Sequence, residues 1–600
     1  MKKILIANRG EIAVRIARGC ADYGVPSVAV FSRDDADALH VRVATEAWSL
    51  PGAEPGGLEP YLDIDALLDV ARRSGADAVH PGYGFLAEEA EFARRVIDAG
   101  LVWIGPTPET IEVLGDKIRA RAVAESVGAP LVVGTSGPVE SVDEVSAFAR
   151  RHGLPIAIKA AHGGGGRGMR VVRRLDEVAD LYDSAIREAV ASFGRGECFV
   201  EQYLDRPRHV EAQVLGDGEG GVVVVGTRDC STQRRHQKLV EEAPAPFLSD
   251  EQRGQIVEAA RAICSSVSYR GVGTVEFLIG QSGVVSFLEV NTRLQVEHTV
   301  TEATTGVDLV RQQLLVADGL PIEVHDHPDA VGHAIEFRLT AEDAGRGFLP
   351  APATVTRLEL PGGPGIRVDS GVVVGSPVPR RYDPLLLKLV VWGRDRDEAL
   401  RRSRQALSEL ELDGPRTVLP FHRRLLDEPA FTAPEGVSSM HTRWVETECE
   451  WLDGLAETTP PEAPVTPPLQ HTVIEIDGRR VALGLPAGIL EAAAGVAVTT
   501  GAAATTDARG ATAHTAPPSV SSVDTDEVPA SVDVVAPVSG TIVSWSAEDG
   551  DAVAEGAPVV VIEAMKLETV VVAPGAGVLS RAHDVDAVVP AGTVLGTIAP

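Results

Sequence analysis

Cysteine is scarce in this chain, with five in 600 residues. Cys20, Cys198, Cys230, Cys264 and Cys449 are scattered, odd in number and never spaced as Cys-x-x-Cys. That excludes a disulfide framework and a zinc site built on paired thiols, and it fits a reducing cytoplasm. Long apolar runs are missing too. No stretch nears the ~18 residues a membrane helix requires, so no membrane span is expected. The opening MKKILIANRGEIAVRIAR has two lysines and a short apolar run, which Asn8, Arg9 and Glu11 interrupt well short of a secretory core. A cytoplasmic location without a targeting segment is expected. Positive charge is in deficit: 55 Lys and Arg against 86 Asp and Glu leave a net charge of −31. Such a surface is soluble and has no general affinity for nucleic acid or anionic lipid. An anionic substrate would therefore need a local concentration of cations.

What is present is long enough for roughly three to five domains. Apolar runs at 3–7, 27–31, 78–79 and 101–104 alternate with helical text, which predicts an α/β layer of parallel strands over residues 1–115. From 116 to 330 a helix at 116–127 leads into strand-like runs, a glycine cluster and valine-rich strands. Residues 331–445 hold strand runs at 333–339 and 386–392 and a helical stretch at 396–410. Residues 446–530 read as a linker, loaded beyond 455 with Ala, Thr, Pro, Ser and Gly. Inside it, 470–486 reads as two strands about an Asp477-Gly478 turn, a candidate small β module. The last segment, 531–600, repeats itself. Ala536-Pro537-x-x-Gly540 returns as Ala573-Pro574-x-x-Gly577, and Asp551-Ala552-Val553 as Asp586-Ala587-Val588, about 36 residues on. Two copies of one β-unit predict a pseudo-symmetric barrel or flattened sandwich.

Four constellations carry chemistry. Lys159-Ala160-Ala161-His162-Gly163-Gly164-Gly165-Gly166-Arg167-Gly168 follows an apolar run. Consecutive glycines let backbone N–H groups cradle phosphate oxygens, with Lys159 and Lys117 as point charges. The pattern is not a Walker loop, and a flexible surface turn is the competing reading. Second, Arg228 to Lys238 (RDCSTQRRHQK) concentrates cations in an acidic chain. Bicarbonate and phosphate need such donors; a solvated charged face is the competing reading. Third, Glu276 and the run Phe287 to His298 (FLEVNTRLQVEH) offer hard oxygen ligands for magnesium in Glu276, Glu289 and Asn291, then a cation and a base in Arg293 and Glu297. If the strand runs that far, Glu289, Asn291, Arg293, Gln295 and Glu297 share one face; an amphipathic edge strand gives the same alternation. Fourth, Glu563-Ala564-Met565-Lys566-Leu567-Glu568 lies between the two β-repeats, where a hairpin-tip lysine is a handle for covalent attachment.

Together these residues resemble a known family, the α subunits of actinobacterial-type acyl-CoA (acetyl- and propionyl-CoA) carboxylases. The resemblance spans the chain. It rests on Ile6-Ala7-Asn8-Arg9-Gly10-Glu11-Ile12-Ala13, His80-Pro81-Gly82-Tyr83-Gly84-Phe85-Leu86, the glycine loop, 228–246, 289–298 and EAMKLE. It implies a multidomain α/β and α+β chain. A Rossmann-like biotin carboxylase N-terminal domain (1–115) precedes an ATP-grasp domain (116–330, its lid about 131–204). A biotin carboxylase C-terminal domain (331–445) follows, then the linker, and last an all-β biotin carrier of the biotinyl/lipoyl type (531–600).

The resemblance also implies roles. Lys117, Lys159, Gly163, Gly164, Gly165, Gly166, Glu201, Leu204, His209, Gln233 and His236 match ATP contacts. Glu276 and Glu289, with Asn291 beside them, match ligands of magnesium, for which manganese could substitute. Lys238, Arg293, Gln295 and Val296 match the bicarbonate pocket, Glu297 the base, Arg338 the cation facing the biotin enolate, and Lys566 the biotinylated lysine. ATP would activate bicarbonate as carboxyphosphate, under a glycine-loop lid that excludes water. Carboxybiotin would then serve a separate carboxyltransferase β subunit in fatty acid or polyketide precursor synthesis. A biotin protein ligase and a homo-oligomeric complex are implied as well. Three positions depart from the family pattern: His162, Gln202 and Leu567. Two other readings stand beside the active carboxylase: a carrier or scaffold with a dead ATP-grasp part, and a different ATP-grasp ligase. A lipoyl carrier is the alternative for the tail, where Met-Lys favours biotin.

Overall fold

Ile4, Leu5 and Ile6 form a strand with no exposed side chain, as a central parallel strand covered on both faces requires. Leu5 packs with Val28, Val30 and Phe92 on one face; Ile4 and Ile6 pack with Ile12, Ile16 and Leu314 on the other. In the computed structural model this strand is the middle of a five-stranded parallel sheet, in the order Glu46–Ser49, Ser27–Phe31, Ile4–Ile6, Ala78–His80, Val102–Trp103. The structure describes residues 1–600 except 53–58, 136, 161–168, 194, 326–327, 453, 456–468, 477–478, 487–530, 538–539, 565–566, 586, 590–591 and 600. The strand order reverses between Ile4–Ile6 and Ala78–His80, and a crevice opens at such a switch point. Both ends of that crevice carry sequence motifs. Asn8 donates its amide to the carbonyls of Pro81 and Tyr83, each at 2.7 Å. A Cβ on Gly82 would stand 2.8 Å from that amide, and its φ is +66°, so only glycine fits.

The second layer is one eight-stranded antiparallel sheet. Its order is Val285–Asn291, Arg270–Ile279, Arg208–Asp217, Val222–Arg234, Gln237–Ala243, His333–Thr340, Leu385–Gly393, Ile366–Ser370. Strands from both sides of the expected 330/331 division belong to this sheet. Helix Asp250–Ser266 covers its first strands and helix Arg396–Glu409 its later ones. A separate three-stranded sheet, Met169–Val172, Ile156–Ala160 and Cys198–Gln202, packs its own core against helices Val142–His152 and Val178–Phe193.

Strands Leu469–Ile476 and Arg479–Pro486 pair antiparallel; the Asp477-Gly478 turn lies outside the described residues, as does most of 446–530. The last segment folds as two four-stranded sheets. One holds Val532–Val535, Val594–Ala599, Gly577–Arg581 and Ala552–Val553; the other holds Leu567–Val572, Pro558–Ala564, Gly540–Trp545 and Val588–Val589. Each sheet takes two strands from each sequence repeat, in matching positions. The repeated glycines have one job. A Cβ on Gly540 would stand 2.4 Å from the Glu563 carbonyl, and on Gly577 2.1 Å from that of Ala599.

Candidate active site

Lys238 reaches in from the strand Gln237–Ala243 and its ammonium donates to three carboxylates: Glu211 at 2.7 Å, Glu276 at 2.9 Å and Glu297 at 2.6 Å. All three acids are buried. Adjacent strands bring them together, since Glu211 and Glu276 are register partners and Glu276 is in turn paired with Glu289. Burial works against the Lys238 charge, but the three carboxylates outweigh it and raise its pKa well above the usual lysine range.

Glu297 also accepts from Arg338 Nη2 at 2.8 Å. Burial pushes its carboxyl up, yet Lys238, Arg338 and Arg228 together hold it well below the ordinary range. Arg338 Nε donates in addition to Glu241 at 2.5 Å. Glu241 is pushed up to about 7, first by burial and then by Glu297 against the pull of Arg338. Glu276 is held low by Lys238 and His209 in spite of burial. His209 Nε2 lies 2.9 Å from Glu276 Oε2, and Gln233 Nε2 donates to His209 Nδ1 at 3.3 Å. Gln295 donates to Glu276 at 2.9 Å, and Asn291 does the same at 2.9 Å.

The strand ends at Asn291, so the expected alternation through Glu297 does not hold. Residues 292–297 are irregular and Glu297 stands at the N-terminal boundary of helix His298–Thr305. The polar set converges because the chain turns there. Arg293 faces Glu88 at 2.8 Å and the Asn291 oxygen at 3.0 Å, and the Val296 carbonyl accepts from Lys388 Nζ at 2.7 Å. Glu289 is turned to Lys117, 3.4 Å away. Lys159 pairs with Glu201, which Arg121 also approaches at 3.5 Å. Leu204 packs against Gly280. The cation run from Arg228 to Lys238 is not one patch. A turn at Arg235 and His236, both with positive φ, folds it into a hairpin, leaving His236 exposed and Lys238 inward. Gly163, Gly164, Gly165, Gly166, His162 and Lys566 lie outside the described residues. Ala564 and Leu567, on either side of Met565-Lys566, are register partners in adjacent strands. Gln202 donates to the His152 carbonyl at 2.7 Å.

Sequence reasoning gave no role to Glu211 or Lys388, and counted Arg228 only as one cation of the basic run. Arg228 is fully buried and donates to Glu211, Gln213, Thr301, Thr274 and Gln295 at 2.5–3.2 Å. Its signal was available: Arg228 faces His209, Glu211 and Gln213, an alternate polar row on the neighbouring strand.

A shell of this kind can neutralise and align a small anion beside a nucleotide's phosphates. The donor set also fits magnesium. Glu276 and Glu289 present hard oxygens across one register pair, and His209, Glu211 and Glu276 bring ligand atoms within 4.8 Å of one another.

Comparison with known proteins places the chain in a family. Residues 1–111 match the biotin carboxylase N-terminal domain, 116–325 the ATP-binding domain of the carbamoyl-phosphate synthase L chain, 336–447 the biotin carboxylase C-terminal domain and 531–598 the domain of biotin-requiring enzymes. The chain is 51% identical over 601 aligned residues, 99% of its own length and 98% of the other, to the biotin-dependent acyl-coenzyme A carboxylase alpha3 subunit of Mycobacterium leprae. It is 46% identical to the biotin carboxylase of a Nostoc species, over 72% of this chain and 96% of that one. Among solved structures, the Campylobacter jejuni biotin carboxylase–β-γ-ATP complex superposes with a TM-score of 0.69 at 39% identity, over 74% of this chain and 98% of that one. The biotin carboxylase domain of Hydrogenobacter thermophilus 2-oxoglutarate carboxylase, solved with magnesium ADP and bicarbonate, gives 0.68 at 41%, over 74% and 97%. The chain belongs to the family of biotin-dependent acyl-CoA carboxylase α subunits: it is a biotin carboxylase of the ATP-grasp class joined to a biotin carrier domain.

Proposed function

We propose that the buried shell around Lys238 binds and deprotonates bicarbonate. In this reading Lys238, Arg293, Gln295 and the Val296 backbone hold the anion and Glu297 takes its proton. The observation that carries it is the position of Glu297 between Lys238 and Arg338. A carboxylate held so low is ionised at neutral pH and ready to accept. It is a weak base for that reason, so the surrounding cations must also stabilise the deprotonated substrate. The bicarbonate oxygen attacks the γ-phosphorus in line, ADP leaves, and carboxyphosphate is the product of that step. Lys117, Lys159, His209, Gln233, His236, the hinge Glu201–Leu204 and the glycines 163–166 orient the nucleotide. Glu276 and Glu289, with Asn291 beside them, would hold magnesium, which supplies charge neutralisation at the phosphates. Biotin, when attached at Lys566, would supply a ureido nitrogen for the carboxyl group, and its N–H proton would leave with the phosphate released from carboxyphosphate. Arg338 would offer positive charge to the ureido oxygen.

The carboxyl acceptor beyond biotin is a short-chain acyl-CoA, handled by a separate carboxyltransferase β subunit. The Mycobacterium leprae relative, an acyl-coenzyme A carboxylase alpha3 subunit, supports an acyl-CoA acceptor and a further subunit. A biotin protein ligase modifies Lys566, the assembly is homo-oligomeric, and it works in the cytoplasm. Among the described residues no helix is long and apolar enough to cross a membrane. The test is ADP release by the full chain with magnesium ATP and free biotin, with and without bicarbonate. Turnover that requires bicarbonate and falls on Glu297→Gln supports the reading; turnover indifferent to Glu297→Gln rejects the base.

A further inference from the structure

We propose that Lys388 is a positioning residue for the bicarbonate site, holding the Val296 carbonyl and so setting where the Glu297 carboxylate stands; this rests on Glu297 being the base. Lys388 lies mid-strand in Leu385–Gly393, with no exposed surface and with Arg338 and Asp369 as its cross-strand partners. Its sequence neighbours are leucines and valines, so packing alone would favour an apolar residue. Burying an ammonium costs free energy unless charge and hydrogen bonds compensate. Here Nζ donates to the Val296 carbonyl at 2.7 Å and stands 3.3 Å from Glu11 Oε1.

Val296 is where a partner is needed. Residues 292–297 belong to neither helix nor strand, so this part-buried carbonyl has no ladder to join and gains from a side-chain donor. Glu297 follows directly. Two positions beyond it, fully buried Thr299 donates its hydroxyl to Glu336. Glu336 sits on the strand next to that of Lys388. One C-terminal strand thus anchors the chain just before Glu297, and its neighbour anchors it just after. Arg338, on the same strand as Glu336, contacts the Glu297 carboxylate itself. On the far side, Glu11 accepts from the Tyr83 hydroxyl, which ties the same ammonium to the two motifs at the sheet crevice.

The competing account is that Lys388 merely balances Glu11. Two variants of the full chain separate them, read by ADP release with magnesium ATP, bicarbonate and free biotin, and by thermal unfolding. Lys388→Met leaves Glu11 uncompensated and removes the Val296 bond. Lys388→Met with Glu11→Gln restores the charge balance but not the bond. The double variant is expected to regain thermal stability while its KM for bicarbonate stays raised about tenfold, with KM for ATP unchanged. Lys388→Arg, which keeps a donor, is expected to recover part of the bicarbonate affinity. A wild-type KM for bicarbonate in the stable double variant would overturn the positioning role. Glu297→Gln is run alongside. If it abolishes turnover while the Lys388 variants bind bicarbonate normally, only the positioning role fails; if it keeps full turnover, the base reading fails and the positioning role falls with it.

Discussion

At the scale of the residue, the site is a contest between burial and pairing. Lys238, Arg228 and Arg338 are set among Glu211, Glu241, Glu276 and Glu297, all of them largely or fully buried. Removing one partner strands the others. Glu297→Gln is expected to lower bicarbonate-dependent ADP release by about a hundredfold or more, measured at saturating ATP. Glu336 behaves in the opposite sense. Burial is the main cause that pushes it up to about 8, with Lys388 opposing and Glu241 adding. The unfolded carboxyl ionises near ~4.3, so between that pH and about 8 the folded state keeps a proton that the unfolded state has lost. This term is fully favourable below the unfolded value and fades as pH rises toward 8. Glu336→Gln should therefore flatten the fall of Tm across that window; an unchanged slope would mean that another group carries it.

Legibility in the sequence also divides at this scale. Glu276 and Glu289 stood out as hard oxygen ligands, and Lys238 was set apart from its basic run by the family resemblance alone. Arg228 looked like one more member of a basic run, and its partner Thr301 is 73 residues away. Lys388 left no signal, because a single lysine in an apolar strand says nothing of what faces it.

At the scale of the element, the parallel sheet was readable because apolar runs alternate with amphipathic text. The reading of 287–298 as one strand failed where local alternation stopped being a guide. The ladder with Arg270–Ile279 ends at Thr274 and Asn291, and the buried turn beyond it is set by tertiary bonds from Arg228 and Lys388. The terminal repeat is the opposite case. Its two Pro-x-x-Gly units reappear as matching strands, and each glycine lies under a carbonyl of the other sheet-forming strand. Gly540→Ala and Gly577→Ala should each destabilise this segment by about 1–3 kcal/mol. Thermal unfolding of the full chain checks this: the transition of the terminal segment should fall while that of residues 1–447 stays in place.

At the scale of the whole molecule, the Lys238 shell and Lys566, the proposed attachment lysine, belong to different parts of the chain, separated by a segment of linker composition. Carboxylating free biotin should then need only the first part. Lys566→Arg is expected to leave ADP release with free biotin intact and to abolish label transfer from bicarbonate to the protein. Loss of both would mean that the terminal segment is needed for the chemistry itself. In the proposed function the Lys238 shell activates bicarbonate with ATP. Its most direct test is ADP release by the purified full chain with magnesium ATP and free biotin, titrated with bicarbonate. Turnover that rises from near zero and saturates with bicarbonate, and that Glu297→Gln removes, is the predicted result. ATP cleavage that ignores bicarbonate, in folded protein, would contradict it.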